Sequence, residues 1–492
     1  MINIVRWLFE ESGKKDSLAL SSDDEKIDYK SLYSRILALS KKLSELGENK
    51  NIVLIADNSI FFVVGYFAIM GSGNVCIPLK YDKNIQLQKI IDKTGSDTIF
   101  IQKKYADIAK GSFKNIYTEE GVDFKDDNFL LKDYPDEKIA SIMFTSGTTQ
   151  EAKGVVITHK NLMTNTKDII EGLSLTDKDK ILVILPFYYC FGASLLHTHI
   201  KVGGELVLNN NFFLPQRILD ELVDKRCTGI AGVPATYQIL LRKTRINEMS
   251  FPSMRCVQQA GGKLTNQYLK ELIQVFGKEH VFVMYGQTEA TARLSILNPK
   301  FLDAKLGSIG KGLNSTELKV LSEEGNPVKP GEVGEIYAKG NNIMPGYYKE
   351  EEITKKKIIN GMLKSGDFAT VDEDGFIYIV DRQEDFIKTR GYRVSAKLVE
   401  ETISQIHDIV EVAVVGVEDS IMGEKIVAYV SVNKPITEKS IIDYCAEKLQ
   451  KHEVPSQVIF LSILPKNKSL KMDYFKLKKE YPQFLNEAIK NV

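Results

Sequence analysis

The sequence carries no surplus of charge of either sign: 65 lysines and arginines stand against 65 aspartates and glutamates. Without a net field nothing draws the chain to nucleic acid or to an anionic membrane, so both drop out as principal partners. A small neutral-to-anionic ligand captured locally fits better. Cysteine is sparse, and the five residues, Cys76, Cys190, Cys227, Cys256 and Cys445, are scattered, odd in number and without paired metal spacing. That pattern excludes a disulfide framework or a zinc module and points to a reducing compartment. Long apolar runs are missing too. The longest, residues 60–70, is too short to span a bilayer, and the opening MINIVRWLFEESGKK meets charge too soon for a secretory signal. The expectation is a cytoplasmic protein with no integral membrane segment.

What remains is ordinary globular material, 43% hydrophobic and 26% charged, in a chain of 492 residues. That is more than one core normally serves, so two or more domains are expected. The stretch with the most chemistry is IASIMFTSGTTQEAKGV, residues 139–155. An apolar strand, 139–144, empties into Thr145, Ser146, Gly147, Thr148 and Thr149, then Lys153, then a second strand beginning at Gly154. Gly147 lets the backbone approach an anion, the hydroxyls and amides donate hydrogen bonds, and Lys153 adds positive charge. This is a candidate polyphosphate clamp. It is not the common P-loop, because Ala152 precedes the lysine and Gly154 follows it. The same residue types also make plain turns, and the loop alone leaves that reading open.

Along the rest of the chain strands and helices alternate. Asp28 can cap a helix whose Leu32, Ile36, Leu39, Leu43 and Leu46 share one face, with Gly47 ending it. Strand 52–55, helix 59–70 and strand 75–78 make a parallel crossover, followed by helix 87–91 and strand 98–101. Beyond the loop come strand 155–157, a helix marked by Leu162, Met163, Ile169, Ile170 and Leu173, and a strand that stops at Pro186. The aromatic cluster Phe187, Tyr188, Tyr189 and Phe191 then precedes Gly192 and an apolar helix; such clusters build cores as well as pockets. Further strands are expected at 203–208, 229–234 and 254–260, and Gly261 and Gly262 follow the last, where open α/β sheets bind ligands or merely turn. Strand 281–284 ends in YGQTEAT. There Tyr285 offers a ring face, Thr288 a hydroxyl and Glu289 a hard carboxylate oxygen suited to Mg²⁺.

From residue 331, GEVGEIYAKGNNIMPGYY alternates apolar and polar residues, as short strands with tight turns do. In LKSGDFATVDEDGFIYIVDR, residues 363–382, Gly366 and Asp367 read by themselves as a hairpin turn. The charged run 381–391 closes the larger domain. After it, helix 396–406, strands 410–415 and 426–432, helix 440–449 and strand 458–461 suffice for an independent α/β unit. The predicted fold class is α/β: a large N-terminal domain of parallel α/β sheets plus a small β subdomain, residues 1–384, followed by a small mobile C-terminal domain, 385–492.

TSGTTQEAKGV and YGQTEAT, with LKSGD and LPKNKSLKMDY at 464–474, resemble the motifs of the adenylate-forming superfamily: acyl-CoA and aryl-CoA synthetases, peptide-synthetase adenylation domains and luciferases. The resemblance spans residues 27–474 and is strongest from Thr145 onward. It implies ATP and Mg²⁺ as cofactors and activation of a carboxylic acid to an acyl adenylate. The acyl group would then pass to coenzyme A or to the phosphopantetheine of an acyl carrier protein. Carried over residue by residue, it assigns Thr145 to Thr149 and Lys153 to the phosphates, and Gly261 and Gly262 to adenine. Tyr285, Gly286, Gln287 and Thr288 take the nucleotide, Glu289 the metal, and Asp367 and Arg382 the ribose. Tyr189, Cys190 and Gly192 line the acid pocket. Asp385 is the hinge, and Lys471 the catalytic lysine that acts with Glu289, Thr145 and Lys153.

Five positions depart from the pattern: Gln150 for Gly, Ala152 for Pro, Tyr189 for His, Ser365 for Thr and Leu470 for Gly. Gln150, Ala152, Tyr189 and Leu470 keep a nucleotide-binding protein silent in adenylation in view, beside a stand-alone ligase that loads a carrier protein. Lys466, Lys468, Lys476 and Lys478 around Lys471 would equally suit a basic surface loop. Domains that activate α-amino acids place an aspartate in the aromatic segment. None stands between Pro186 and Ser194, which implies a fatty, aryl or other amine-free acid.

Overall fold

The computed structural model describes residues 1–82, 87–121, 128–145, 153–211, 214–382, 386–419, 421–467 and 471–490. Its strands form four sheets. The first, of six strands, runs in the order Asn115–Tyr117, Thr98–Ile101, Asn51–Ile55, Val75–Leu79, Ile139–Phe144, Gly154–Thr158. Its pairs are parallel except the last, an antiparallel hairpin that sets Phe144 opposite Gly154. Thr145 and Lys153 thus stand at the joined end of a hairpin whose two strands are buried in apolar surroundings.

The second sheet, of eight strands, carries the parallel strands Lys180–Val183, Gly229–Gly232, Cys256–Gln259 and Val281–Tyr285. One apolar core draws on both sheets and the helices between them, including Leu54, Phe67, Leu196 and Leu206. The Ile60–Gly71 helix is buried at every residue, which is why its sequence is apolar all round rather than striped. The Tyr29–Ser44 helix shows the opposite case. Asp28 Oδ1 accepts the Ser31 amide at 2.7 Å, and Leu32, Ile36, Leu39 and Leu43 turn to the core.

Residues 316–382 build a small antiparallel sheet. Segment 331–348 contributes one strand, Gly334–Gly340, rather than several. Beyond it the chain crosses to the first sheet, where Val156 N donates to Gly346 O at 3.1 Å and Tyr348 N to Gly154 O at 2.7 Å. Gly366 and Asp367 are not a turn. They lie inside the Met362–Val371 strand, where Glu335 pairs with Phe368 but Tyr337 with Lys364, so residues 365–367 bulge. Pairing with partners distant in sequence overrides the local preference of Gly-Asp for a tight turn.

The remaining chain, from Phe386–Thr389 onward, forms the fourth sheet over its own core of Val399, Ile403, Val414 and Ala428. It docks on the larger part through a few polar contacts. The Tyr268 hydroxyl donates to Ile409 O at 2.8 Å and Val410 O at 2.9 Å, Lys263 pairs with Glu401 at 3.0 Å, and Ser404 meets Thr265 at 3.2 Å. The five cysteines are free and buried. Among the described residues no helix is long and apolar enough to cross a membrane.

Candidate active site

The Val281–Tyr285 strand delivers its chemistry at its C-terminal end, where the chain turns sharply through Gly286 and Gln287 into a short 3₁₀ turn, Thr288–Ala290. The turn is fixed from outside: Met344 N donates to Glu289 O at 2.9 Å, and Leu294 N to Tyr285 O at 2.8 Å. The Glu289 side chain accepts the Tyr347 hydroxyl on Oε1 at 2.8 Å. Lys153 Nζ lies 5.5 Å from the centroid of that tyrosine ring, so the foot of the hairpin loop and the carboxylate meet across Tyr347. Thr145 N donates to Lys153 O at 3.0 Å, closing the loop at its base. Ser146, Gly147, Thr148, Thr149, Gln150 and Ala152 lie outside the described residues, as do Asp385 and Leu470.

On the other side of the turn, the Tyr285 hydroxyl donates to Asp367 Oδ2 at 2.6 Å and Arg382 Nε to Asp367 Oδ1 at 2.8 Å. Each carboxylate oxygen therefore already holds one donor and keeps a lone pair for another. The bulge at 365–367 and the cross-strand pairing of Asp367 with Arg382 create this arrangement. Gln287 Nε2 is buried without a hydrogen-bond partner, a donor that nothing in the described protein uses.

The aromatic segment leads into the Cys190–Val202 helix, with Tyr189 at its N-cap. A side chain at Gly192 would meet Pro186 O at 2.1 Å, so only glycine lets the helix close against the strand end. Thr288 Oγ1 reaches Cys190 Sγ at 3.4 Å. Lys471 arrives from the C-terminal unit, its Nζ 5.3 Å from the centroid of the Tyr189 ring. It also lies against Gly261, where an added Cβ would stand 3.1 Å from Lys471 Cε. Gly262 O accepts Gln259 Nε2 at 2.8 Å, which braces the glycine pair at the strand end. Asn467 clamps the lysine, donating from its N to Lys471 O at 2.7 Å and accepting the Lys471 amide on Oδ1 at 3.1 Å. The basic neighbours are engaged elsewhere: Lys466 pairs with Glu411, and Lys478 with Glu424 at 2.6 Å.

Charge in this cleft is strongly shaped by burial. Burial pushes the Cys190 thiol up; Lys471 and Arg293 oppose that shift and Glu289 adds to it. Tyr189 is raised by burial, with Lys471 pulling against it. Thus Lys471 and Glu289, 182 residues apart in the sequence, act on the same group. Segments around 153, 189, 261, 285–289, 367 and 471 converge on one cleft.

Three residues escaped the sequence reading. Tyr347 orients Glu289. Lys357 donates from Nζ to Ser365 O at 2.8 Å, and burial lowers its pKa against the pull of Glu289 and Asp367. In the sequence it is one lysine of three in a row and shows no pattern. Arg293 is buried beside Cys190 and Tyr189. Its signal was available: a single charge in the otherwise uncharged run ATARLSIL.

The donor set suits Mg²⁺. No group of three or more histidine, cysteine or acidic side chains that could hold a metal occurs among the described residues. One hard carboxylate, Glu289, with free lone pairs is what an ion delivered with nucleotide phosphates and water requires.

A model of the AMP-binding enzyme family matches residues 9–348, and one of the AMP-binding enzyme C-terminal domain matches 398–471. The 2-succinylbenzoate–CoA ligase of Bacillus cytotoxicus is 28% identical over 494 residues, covering 99% of this chain and 100% of that protein. The long-chain-fatty-acid–CoA ligase of Escherichia coli is 27% identical over 515 residues, covering 94% and 91%. The solved structure of o-succinylbenzoate CoA synthetase from Bacillus subtilis with its acyl-adenylate intermediate matches with a TM-score of 0.85 at 26% identity, covering 97% and 98%. ATP-bound MatB from Rhodopseudomonas palustris matches with a TM-score of 0.88 at 25% identity, with the same coverage of 97% and 98%.

Proposed function

The chain belongs to the AMP-binding enzyme family, and from that membership we propose that it joins a carboxylic acid to coenzyme A through an acyl adenylate. The observation that carries the reading is the approach of Lys471, Glu289 and Asp367 to a common cleft. Coenzyme A, rather than a carrier protein's phosphopantetheine, is supported by the relatives, which are named CoA ligases.

In the first step the acid's carboxylate oxygen attacks the α-phosphorus of ATP and pyrophosphate leaves. A weak nucleophile meets an anionic centre, so the barrier is mainly charge and alignment. Lys471 would neutralise charge on the α-phosphate and the incoming carboxylate. Thr145 and Lys153, with the loop between them, would hold the departing pyrophosphate. Asp367, pre-oriented by Tyr285 and Arg382, would accept the ribose hydroxyls. Gly261 and Gly262 would border adenine, and Gln287 offers its unused donor to the nucleotide. Glu289 would hold Mg²⁺, which would supply further neutralisation of phosphate charge, and Thr288 would donate to a phosphate oxygen.

In the second step a thiolate attacks the acyl carbon and AMP leaves. We assign the domain boundary to residues 384 and 385, with rotation about Asp385 withdrawing Lys471 and bringing Gly391 and its neighbours in. Support for such a rotation is the polar, sparsely bonded contact between the two parts. A cytoplasmic site accords with the five free cysteines.

The test is acid-dependent hydroxamate and AMP formation from ATP and Mg²⁺ across a panel of carboxylic acids. ATP binding with no acid activated would establish the adenylation-silent reading instead. Robust pyrophosphate exchange with a common α-amino acid would overturn the expectation of an amine-free substrate.

A further inference from the structure

Arg293 is a full charge where folded proteins seldom leave one alone. Its side chain is only 2% exposed and its guanidinium lies 3.9 Å from the centroid of the Phe191 ring. Nε finds only Met284 Sδ, at 3.4 Å. Nη2 is buried with no hydrogen-bond partner, and no carboxylate among the described residues acts on the group. Burial lowers its pKa to about 10, which leaves it charged at neutral pH. A buried charge without a partner is costly, so a residue kept for stability alone would be matched by a carboxylate or by carbonyl oxygens.

The backbone, by contrast, is fully engaged. Arg293 N donates to Asn165 Oδ1 at 3.1 Å, and Arg293 O accepts Asn165 Nδ2 at 2.8 Å and Asn342 Nδ2 at 3.0 Å. Those bonds hold the guanidinium against the first turn of the Cys190–Val202 helix. The groups that act on it electrostatically are Cys190 and Tyr189, the residues assigned to the acid pocket, and Lys471 lies over the Tyr189 ring. Two cations thus approach Tyr189, one suited to the carboxylate being activated and one with no counter-ion among the described residues.

We propose that Arg293 binds a second carboxylate on the substrate, so that the acid activated is a short dicarboxylic acid. This rests on the adenylation reading above. Lys471 and Arg293 both approach the one Tyr189 ring, so a compact acid with an anionic group at each end matches the two charges.

The experiment compares AMP formation with succinate, glutarate and phthalate against their monomethyl esters, in the wild-type protein and in Arg293→Met and Arg293→Lys. Wild type is expected to favour the diacids by about 100-fold or more in kcat/KM, because the ester leaves the buried cation unpaired. Arg293→Met should bring the ratio close to one, and Arg293→Lys should retain part of it. Without ligand, Arg293→Met should melt no lower than wild type, since it removes an unmatched charge and keeps the apolar contact with Phe191. Equal use of diacids and monoesters by wild type, an unchanged ratio in Arg293→Met, or a sharp drop in its melting temperature would each overturn the assignment. Activation of monocarboxylic acids alone defeats only the role of Arg293; failure of every acid to yield AMP defeats the adenylation reading and this one with it.

Discussion

Gly261→Ala tests the cleft at its most constrained point. Gly261 has φ +85°, a left-handed conformation that costs an L-residue roughly 1–2 kcal/mol. The new Cβ would stand 3.0 Å from Val233 Cγ1 and 3.1 Å from Lys471 Cε, both tight enough that a neighbour must give by a few tenths of an ångström. Val233 is buried at 1% exposure and has nowhere to go, so the far end of the lysine must yield. A displacement of about 1 Å in a positioning group costs on the order of 100-fold in rate, and a shift of a few tenths of that distance correspondingly less. Adenylation should therefore fall by roughly 3- to 10-fold, read as the burst of pyrophosphate release. Thiolysis of a supplied acyl adenylate by coenzyme A, for which the proposed rotation would withdraw Lys471, should stay close to wild type. Gly262→Ala is the control, because its Cβ meets only Pro234, at 3.2 Å from Cγ, and not the lysine. Equal loss in both half-reactions, or no loss in either, would refute the reasoning.

Other expectations follow from individual contacts. Tyr347→Phe removes the 2.8 Å donor that orients Glu289, and should raise the Mg²⁺ concentration needed for half-maximal AMP formation by about 10-fold; an unchanged titration would dissociate Glu289 from the metal. Lys357→Met removes an ammonium set in the field of Glu289 and Asp367, and should weaken ATP binding by roughly 10-fold, the scale of one charge-assisted bond. Wild-type affinity should also decline at alkaline pH below the ordinary lysine range, and the variant should lack that decline in calorimetry. His159 and His197 are lowered to about 3 and His199 to about 4, each by burial first. The unfolded chain therefore binds protons near pH 6.5 that the native state refuses. Stability from these groups is complete above that pH and drops by about 1.4 kcal/mol per pH unit for each histidine as the pH falls. Urea unfolding between pH 7.5 and 5 should show the slope, and a flat profile would contradict it.

The alternating architecture was legible because its signals are local. Apolar runs of strand length, the Asp28 cap and the glycine at helix ends each act over a few residues, and the observed elements fall where they indicate. The hairpin Ile139–Phe144 with Gly154–Thr158 was readable for the same reason. Gly366 and Asp367 were not, because their conformation depends on partners at 335–337 and 382 rather than on neighbours. The Tyr285 hydroxyl on Asp367 is likewise a tertiary fact, joining residues 82 apart in sequence. Lys357 was hidden by context: of three consecutive lysines only this one turns inward, and helical phase over so short an element is too weak to tell which. Arg293 was visible as a lone charge but not interpretable, since a sequence cannot show that its guanidinium lacks a counter-ion.

The contact through Tyr268 bears on how the two parts of such a chain can diverge. The smaller part contributes the carbonyl oxygens of Ile409 and Val410, atoms that every amino acid supplies. Mutation at those positions cannot delete the acceptors, so for these two bonds the heritable risk falls on one tyrosine in the larger part. A lineage could therefore rewrite the side chains at 409 and 410 and still inherit this part of the seat, whereas changes at Glu401 or Ser404 would loosen the rest of it.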